Sequence, residues 1–168
     1  RPPVCLDGHQ HVHVLPGVRS VVLEAARPLA RRGRLWLRSC EERPGVIVGR
    51  GIAVTKAALI AGLAVGQRAA AARLEVATNQ GFAGVLDHAG RSTLASAMPR
   101  FLARSGPRPL IMCHPGRVDR ILAGLDPLVE ARADELAYLA GERFAADLAR
   151  AGVVLTRFET TDPIEASG

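Results

Sequence analysis

Three of the five histidines fall within one short stretch, Leu6-Asp7-Gly8-His9-Gln10-His11-Val12-His13. Side chains of an extended chain alternate with a period of two, so in strand geometry Asp7, His9, His11 and His13 share one face. Imidazole is the commonest protein ligand for divalent metals, and a neighbouring carboxylate can orient a ring through its second nitrogen. The stretch therefore reads as a His-x-His platform at the mouth of a strand. The competing reading is a set of ordinary hydrogen-bonded histidines. A catalytic centre takes three protein ligands, often with a carboxylate among them, and no second cluster in the sequence supplies the remainder.

Two more segments carry chemistry-bearing side chains. Thr78-Asn79-Gln80-Gly81-Phe82-Ala83-Gly84 combines glycines, which let backbone N–H groups approach a ligand, with hydroxyl and amide partners for sugar hydroxyls. Phe82 offers a ring for the apolar face of a sugar, and a plain turn is the alternative. Ile111-Met112-Cys113-His114-Pro115-Gly116 places a histidine just past an apolar strand, where Pro115 biases it toward extended geometry. That position suits general acid/base work near neutral pH, beside the alternative of a structural histidine. His88, in Asp87-His88-Ala89-Gly90, reads as an ordinary turn residue.

The elements that would position these residues alternate between short apolar runs and helical patterns. Strands are expected at Val4 to Leu6, Arg34 to Arg38, Leu74 to Ala77, Pro109 to Cys113 and Val153 to Phe158. Helices are expected from Val18 to Arg32, kinked or ended at Pro28, and from a Thr55 cap to about Arg73. Others start at a Ser92 cap and at Glu130, the last reaching Leu148 in two pieces broken at Gly141. Glu41 to Gly51, with Pro44, Gly45, Gly49 and Gly51, reads as a loop. Such alternation means parallel β-structure with helical crossovers, in an open doubly wound sheet or part of a (β/α) barrel. In both architectures the ligand site lies at the C-terminal ends of the strands. No Gly-x-Gly-x-x-Gly follows a strand, which removes the usual dinucleotide fingerprint.

Composition narrows the function class. The formal charge is +6, yet Lys56 is the only lysine and the arginines are scattered. With 4 Phe, 1 Trp and 1 Tyr there is little to stack on bases, so no nucleic-acid partner is expected. Cys5, Cys40 and Cys113 have no C-x-x-C spacing and read as reduced thiols of a cytoplasmic protein. The longest apolar stretch, around Ala57 to Val65, is too short to span a bilayer. Residues 1–158 read as one domain piece and 159–168 as a polar tail.

The three motifs, in this order, resemble the YdjC-like deacetylases, the family of chitooligosaccharide and hopanoid-associated deacetylases. The similarity runs from about Leu6 to Phe158 and includes Val118-Asp119 and Leu125-Asp126-Pro127-Leu128. The resemblance implies a (β/α) barrel-like fold and hydrolysis of the acetamido group of an N-acetylated sugar, oligosaccharide or glycolipid. It also implies a divalent metal, magnesium or zinc, that polarises the acetyl carbonyl and activates a water. By match of position His9 is a metal ligand, and His114 protonates the leaving amine. Asp7, His11 and His13 orient that ligand or meet substrate, with Thr78, Gln80 and Phe82 on the substrate side.

The family's early Asp-Asp and His-x-x-Leu-Thr motifs do not occur in this sequence, which begins at Arg1. The expectation is a C-terminal portion of one deacetylase domain, inactive and a poor metal binder by itself. Its exposed sheet edges would favour self-association. Arg34 to Glu42 follows the family pattern loosely, so no substrate role is assigned to Arg38. Two other functions stay open. One is a different barrel-type metal hydrolase using the His9/His11 pair, and the other is a non-catalytic sugar- or polyanion-binding domain.

Overall fold

The structure, a computed structural model, describes residues 3–33, 35–87, 92–126 and 128–158. The expected strand–helix alternation is present, and every named strand pair is parallel. Strands β1 (Cys5–Leu6), β2 (Trp36–Leu37) and β3 (Ala77–Thr78) form one sheet in that order. Cys5 is paired with Trp36, and Trp36 with Ala77. Strands β4 (Phe82–Ala83) and β5 (Leu110–Ile111) form a second sheet, with Phe82 opposite Leu110. An antiparallel bridge between Gln80 and Arg108 precedes it. The protein is thus a mixed α/β fold with parallel strands, and no closed barrel forms among the described residues.

Among the described residues there are eight α-helices. Helix α1 (Val18–Ala30) ends within a turn of Pro28, and Gly33 follows it at φ 74°. The region from Glu41 to Gly51 corrects the expectation of a loop, because α2 occupies Pro44–Arg50. Pro44 sits in its first turn, where a missing N–H costs nothing, and Gly51 caps it at φ 63°. The single helix expected from Thr55 is instead α3 (Val54–Ala64) and α4 (Gln67–Arg73), separated at Val65 and at Gly66, φ 81°. Thr93, rather than Ser92, caps α5 (Leu94–Ala103). Its hydroxyl accepts from the Ser96 N–H while the Ser96 hydroxyl accepts from the Thr93 N–H.

Helix α6 (Arg120–Leu125) has no counterpart in the sequence expectations, whereas α7 (Val129–Ala140) and α8 (Glu142–Ala151) divide at Gly141 as expected. The expected last strand does not form: residues 153–158 carry no strand pairing. The Val153 N–H instead bonds the Leu148 carbonyl, closing α8. Phe158 then stacks on Trp36 at 4.3 Å, and the Arg108 guanidinium lies over the Phe158 ring, 4.5 Å from its centroid. Aromatic packing anchors this segment where sheet pairing was expected. The polar tail, His88 and Pro127 lie outside the described residues.

Burial divides into three neighbouring cores. Leu23, Ala26, Leu35, Leu37, Ala71 and Val76 join α1, β2 and α4. Val14, Cys40, Ile60, Ala64, Phe82 and Val85 form the middle cluster. Leu94, Met98, Phe101, Leu102 and Tyr138 fasten α5 to α7 and α8. The polar residues considered next sit on the middle cluster, where the ends of both sheets meet.

Candidate active site at the strand ends

The chain does not leave β1 as an extended strand. Residues His9–Val14 form a 3₁₀ turn kinked by left-handed backbone at Gln10 (φ 50°) and His11 (φ 63°). The period-two face expected for Asp7, His9, His11 and His13 is therefore absent: His9 is exposed, His11 half-buried and His13 buried. The cause is local. The Gly8 carbonyl accepts from the His11 N–H at 3.0 Å, and the Gly8 N–H donates to His13 Nδ1 at 3.0 Å. Position 8 must be glycine for this closure, because an added Cβ would stand 2.5 Å from His13 Nδ1.

His13 is committed at both nitrogens. Nδ1 accepts from Gly8, so Nε2 carries the proton and donates to the Arg38 carbonyl at 3.0 Å. Burial first, and then the charge of Arg38, hold its pKa below the usual 6.5. The same two causes, in the same order, lower His11 to about 4. Both rings are therefore neutral near pH 7.

Arg38, at the end of β2, is 3% exposed and occupies the centre of the site. Its Nε donates to Asp7 Oδ1 at 2.6 Å and Nη2 to the Gly8 carbonyl at 3.1 Å. Nη1 faces His11 Nδ1 at 3.0 Å and Met112 Sδ at 3.6 Å. The guanidinium also lies over the Phe82 ring, 5.3 Å from its centroid, and His11 meets that ring edge-on at 5.7 Å. Phe82 is buried beneath this pair. Sequence reading gave Arg38 no role. Its visible signal was a cation placed directly after a short apolar strand, at the head of the polar run Arg38-Ser39-Cys40-Glu41-Glu42.

That polar run is clamped by side chains in place of sheet pairing. Asn79, 1% exposed, accepts from the Ser39 N–H at 2.6 Å and donates to the Ser39 and Gly81 carbonyls. Gln67 accepts from the Cys40 N–H at 3.2 Å and donates to the Arg38 carbonyl at 3.3 Å. Glu42 pairs with Arg50 at 3.1 Å, and both side chains are buried. Between them they satisfy the Phe82 backbone: Glu42 accepts its N–H and Arg50 donates to its carbonyl at 2.8 Å. Burial pushes the Cys40 thiol up to about 12, so this sulfur is an inert neighbour of the two rings.

The remaining candidates lie around this centre. Thr78 belongs to β3, opposite Leu37. Gln80 joins the second sheet by donating its backbone N–H to the Arg108 carbonyl at 2.8 Å. His114 follows Met112 by two residues. Its N–H donates to the buried carboxylate of Glu135 on α7, and Arg132 donates to its carbonyl at 3.5 Å. The geometry thus brings Asp7, His11 and Phe82 together around the Arg38 side chain, with His13 on its carbonyl, whereas the bonds of His114 run to Glu135 and Arg132 on α7.

A divalent metal meets a limited donor set here. Both nitrogens of His13 are used, and Nδ1 of His11 faces a cation. His9 is exposed. Among the described residues no three His, Cys, Asp or Glu side chains come together as a metal site. These residues alone do not make one.

A family model described as YdjC-like protein matches residues 1–150. Comparison with curated proteins and with solved structures returns no match.

Proposed function

This chain belongs to the YdjC-like family, and on that footing we propose that it serves to hydrolyse the acetamido group of an N-acetylated sugar. The observation that carries the reading is the meeting at Arg38 of all three segments singled out in the sequence. Asp7 and His11 come from the first, Phe82 from the second and Met112, leading to His114, from the third. The meeting point lies at the C-terminal ends of parallel strands, where α/β folds place their chemistry. The two parallel sheets would then be parts of a barrel-like fold.

Hydrolysis requires a water oxygen to bond to the acetyl carbon, the C–N bond to break, and the departing amine to gain a proton. His114 is the proposed donor of that proton, held in place through its backbone by Glu135 and Arg132. Asp7 and His11 present polar groups on the substrate side, together with Thr78 and Gln80. Phe82 supports that surface from beneath.

A divalent ion, magnesium or zinc, remains part of the proposal with exposed His9 as one ligand. The described residues do not complete its shell. No described helix is long and apolar enough to cross a membrane. A cytoplasmic enzyme acting on acetamido sugars or glycolipids is the fuller form of the proposal, with self-association through its open sheet edges.

The test is acetate release from N-acetylglucosamine oligomers and N-acetylated glycolipids by the natural full-length protein. It is run with and without chelator, beside His9→Ala. Chelator-sensitive release that disappears in His9→Ala supports the reading. A folded, metal-supplied protein that releases no acetate from any of these substrates sinks it.

A further inference from the structure

Arg38 spends its donors in an unusual way for a buried cation. A carboxylate partner, Asp7, and one carbonyl, that of Gly8, engage Nε and Nη2, while Nη1 is aimed at a ring nitrogen, His11 Nδ1. A guanidinium has five N–H donors, no acceptor, and does not lose its proton in proteins. The contact with His11 therefore has one sense: the ring accepts. A neutral imidazole that accepts at Nδ1 carries its proton on Nε2. The edge-on contact with Phe82, interplanar angle 81°, fixes the plane of the same ring.

Among the described residues Nε2 of His11 makes no hydrogen bond; the ring's polar contacts, to Arg38 and to Cys40 Sγ at 3.6 Å, are both at Nδ1. A half-buried ring with its plane and tautomer set and one N–H unspent is arranged to donate. We propose that Arg38 is a positioning residue that holds His11 as the Nε2–H tautomer, and that this N–H donates to a neutral oxygen of the acetamido sugar. The proposal rests on the deacetylase reading for the identity of the ligand, and on the geometry alone for the tautomer.

His13 supplies an internal control. Its tautomer is set by the Gly8 N–H and the Arg38 backbone carbonyl, neither of which a side-chain change at position 38 removes.

The experiment is long-range proton–nitrogen NMR of the ¹⁵N-labelled chain near neutral pH, with His11 assigned through His11→Gln. Wild type is expected to show His11 protonated at Nε2 alone. A Nδ1-protonated ring or an even mixture overturns the proposal. Arg38→Lys, which keeps a charge but cannot span Asp7, Gly8 and His11 together, is expected to release His11 into a tautomer mixture while His13 is unchanged. Asp7→Asn, which keeps the guanidinium, is expected to retain the wild-type pattern. Retention of the tautomer in Arg38→Lys, or its loss in both variants, overturns the role of the guanidinium. Titration with N,N′-diacetylchitobiose is expected to move the His11 Nε2–H signal in wild type, and an unmoved signal at saturation overturns the donor role. Acetate is measured in parallel on the natural protein. Release with an unmoved signal sinks this proposal and leaves the deacetylase reading standing, and a moved signal without release does the reverse.

Discussion

His13 Nε2 donates to the Arg38 carbonyl at 3.0 Å, tying the turn after β1 to the residue that follows β2. Because Nδ1 of the same ring accepts from Gly8, one buried side chain serves two backbone groups 30 residues apart in the chain. His13→Ala leaves the Gly8 N–H unpaired, leaves the Arg38 carbonyl with Gln67 alone and opens a cavity, at an expected cost of about 2–4 kcal/mol. His13→Asn, whose side-chain oxygen can still accept from Gly8, should lose less. Urea unfolding monitored by circular dichroism orders the two, and equal losses would refute the role of the Gly8 bond.

Protonation of this ring converts the Nδ1 acceptor into a donor facing the Gly8 N–H. Its folded pKa lies below the ordinary 6.5, so the unfolded chain binds the proton more readily and stability rises with pH through this region. The contribution is fully present above about 6.5 and is lost as the pH falls toward the folded value. His11, lowered to about 4, acts in the same direction. Thermal melts should show a falling midpoint from pH 7 to pH 4.5, with a weaker slope in His13→Asn.

Gly84 has φ 96°, and a Cβ there would enter the backbone of Met112, the residue that follows β5. Gly84→Ala combines left-handed strain with a clash against main chain, and about 3 kcal/mol of lost stability is expected. Gly62, in α3 with nothing within 4 Å, is the contrast: Gly62→Ala should stabilise by about 0.5–1 kcal/mol. Denaturant midpoints of the two variants should therefore move in opposite directions.

Glu42 and Arg50 form a buried pair whose members also bond the Phe82 backbone. Glu42→Gln leaves the guanidinium buried without its carboxylate, and a loss of about 3 kcal/mol is expected. The fluorescence of Trp36, on the other sheet, makes a convenient probe of unfolding. A loss under about 1 kcal/mol would mean that water replaces the carboxylate.

The parallel strands and helical crossovers were legible because apolar runs and capping residues act locally, as at Gly33 and Gly141. Helix α2 was also encoded locally, by Pro44 in its first turn and Gly51 after its end, but four Gly and Pro residues within Glu41 to Gly51 read more readily as a loop. The strand expected at 153–158 was lost for a different reason. Its short apolar run, Val153 to Leu155, was real, yet Phe158 found Trp36 and Arg108, partners that no local pattern names.

The site was legible as a list of residues and not as a geometry. Period two requires an extended chain, and the Gly8–His13 closure curls that chain. Arg38 was passed over because its partners Asp7, His11, Phe82 and Met112 are distant in sequence and become neighbours only when both sheets are in place.

No segment contributing to the Arg38 corner adjoins another in the chain, so no fragment of the fold can assemble the corner early. A ligand that recognises it recognises only the completed native state. Its binding energy therefore adds to global stability by mass action, and sugar-dependent protection should extend to amide hydrogens in α1, α4 and α5 as well as to those beside the ligand.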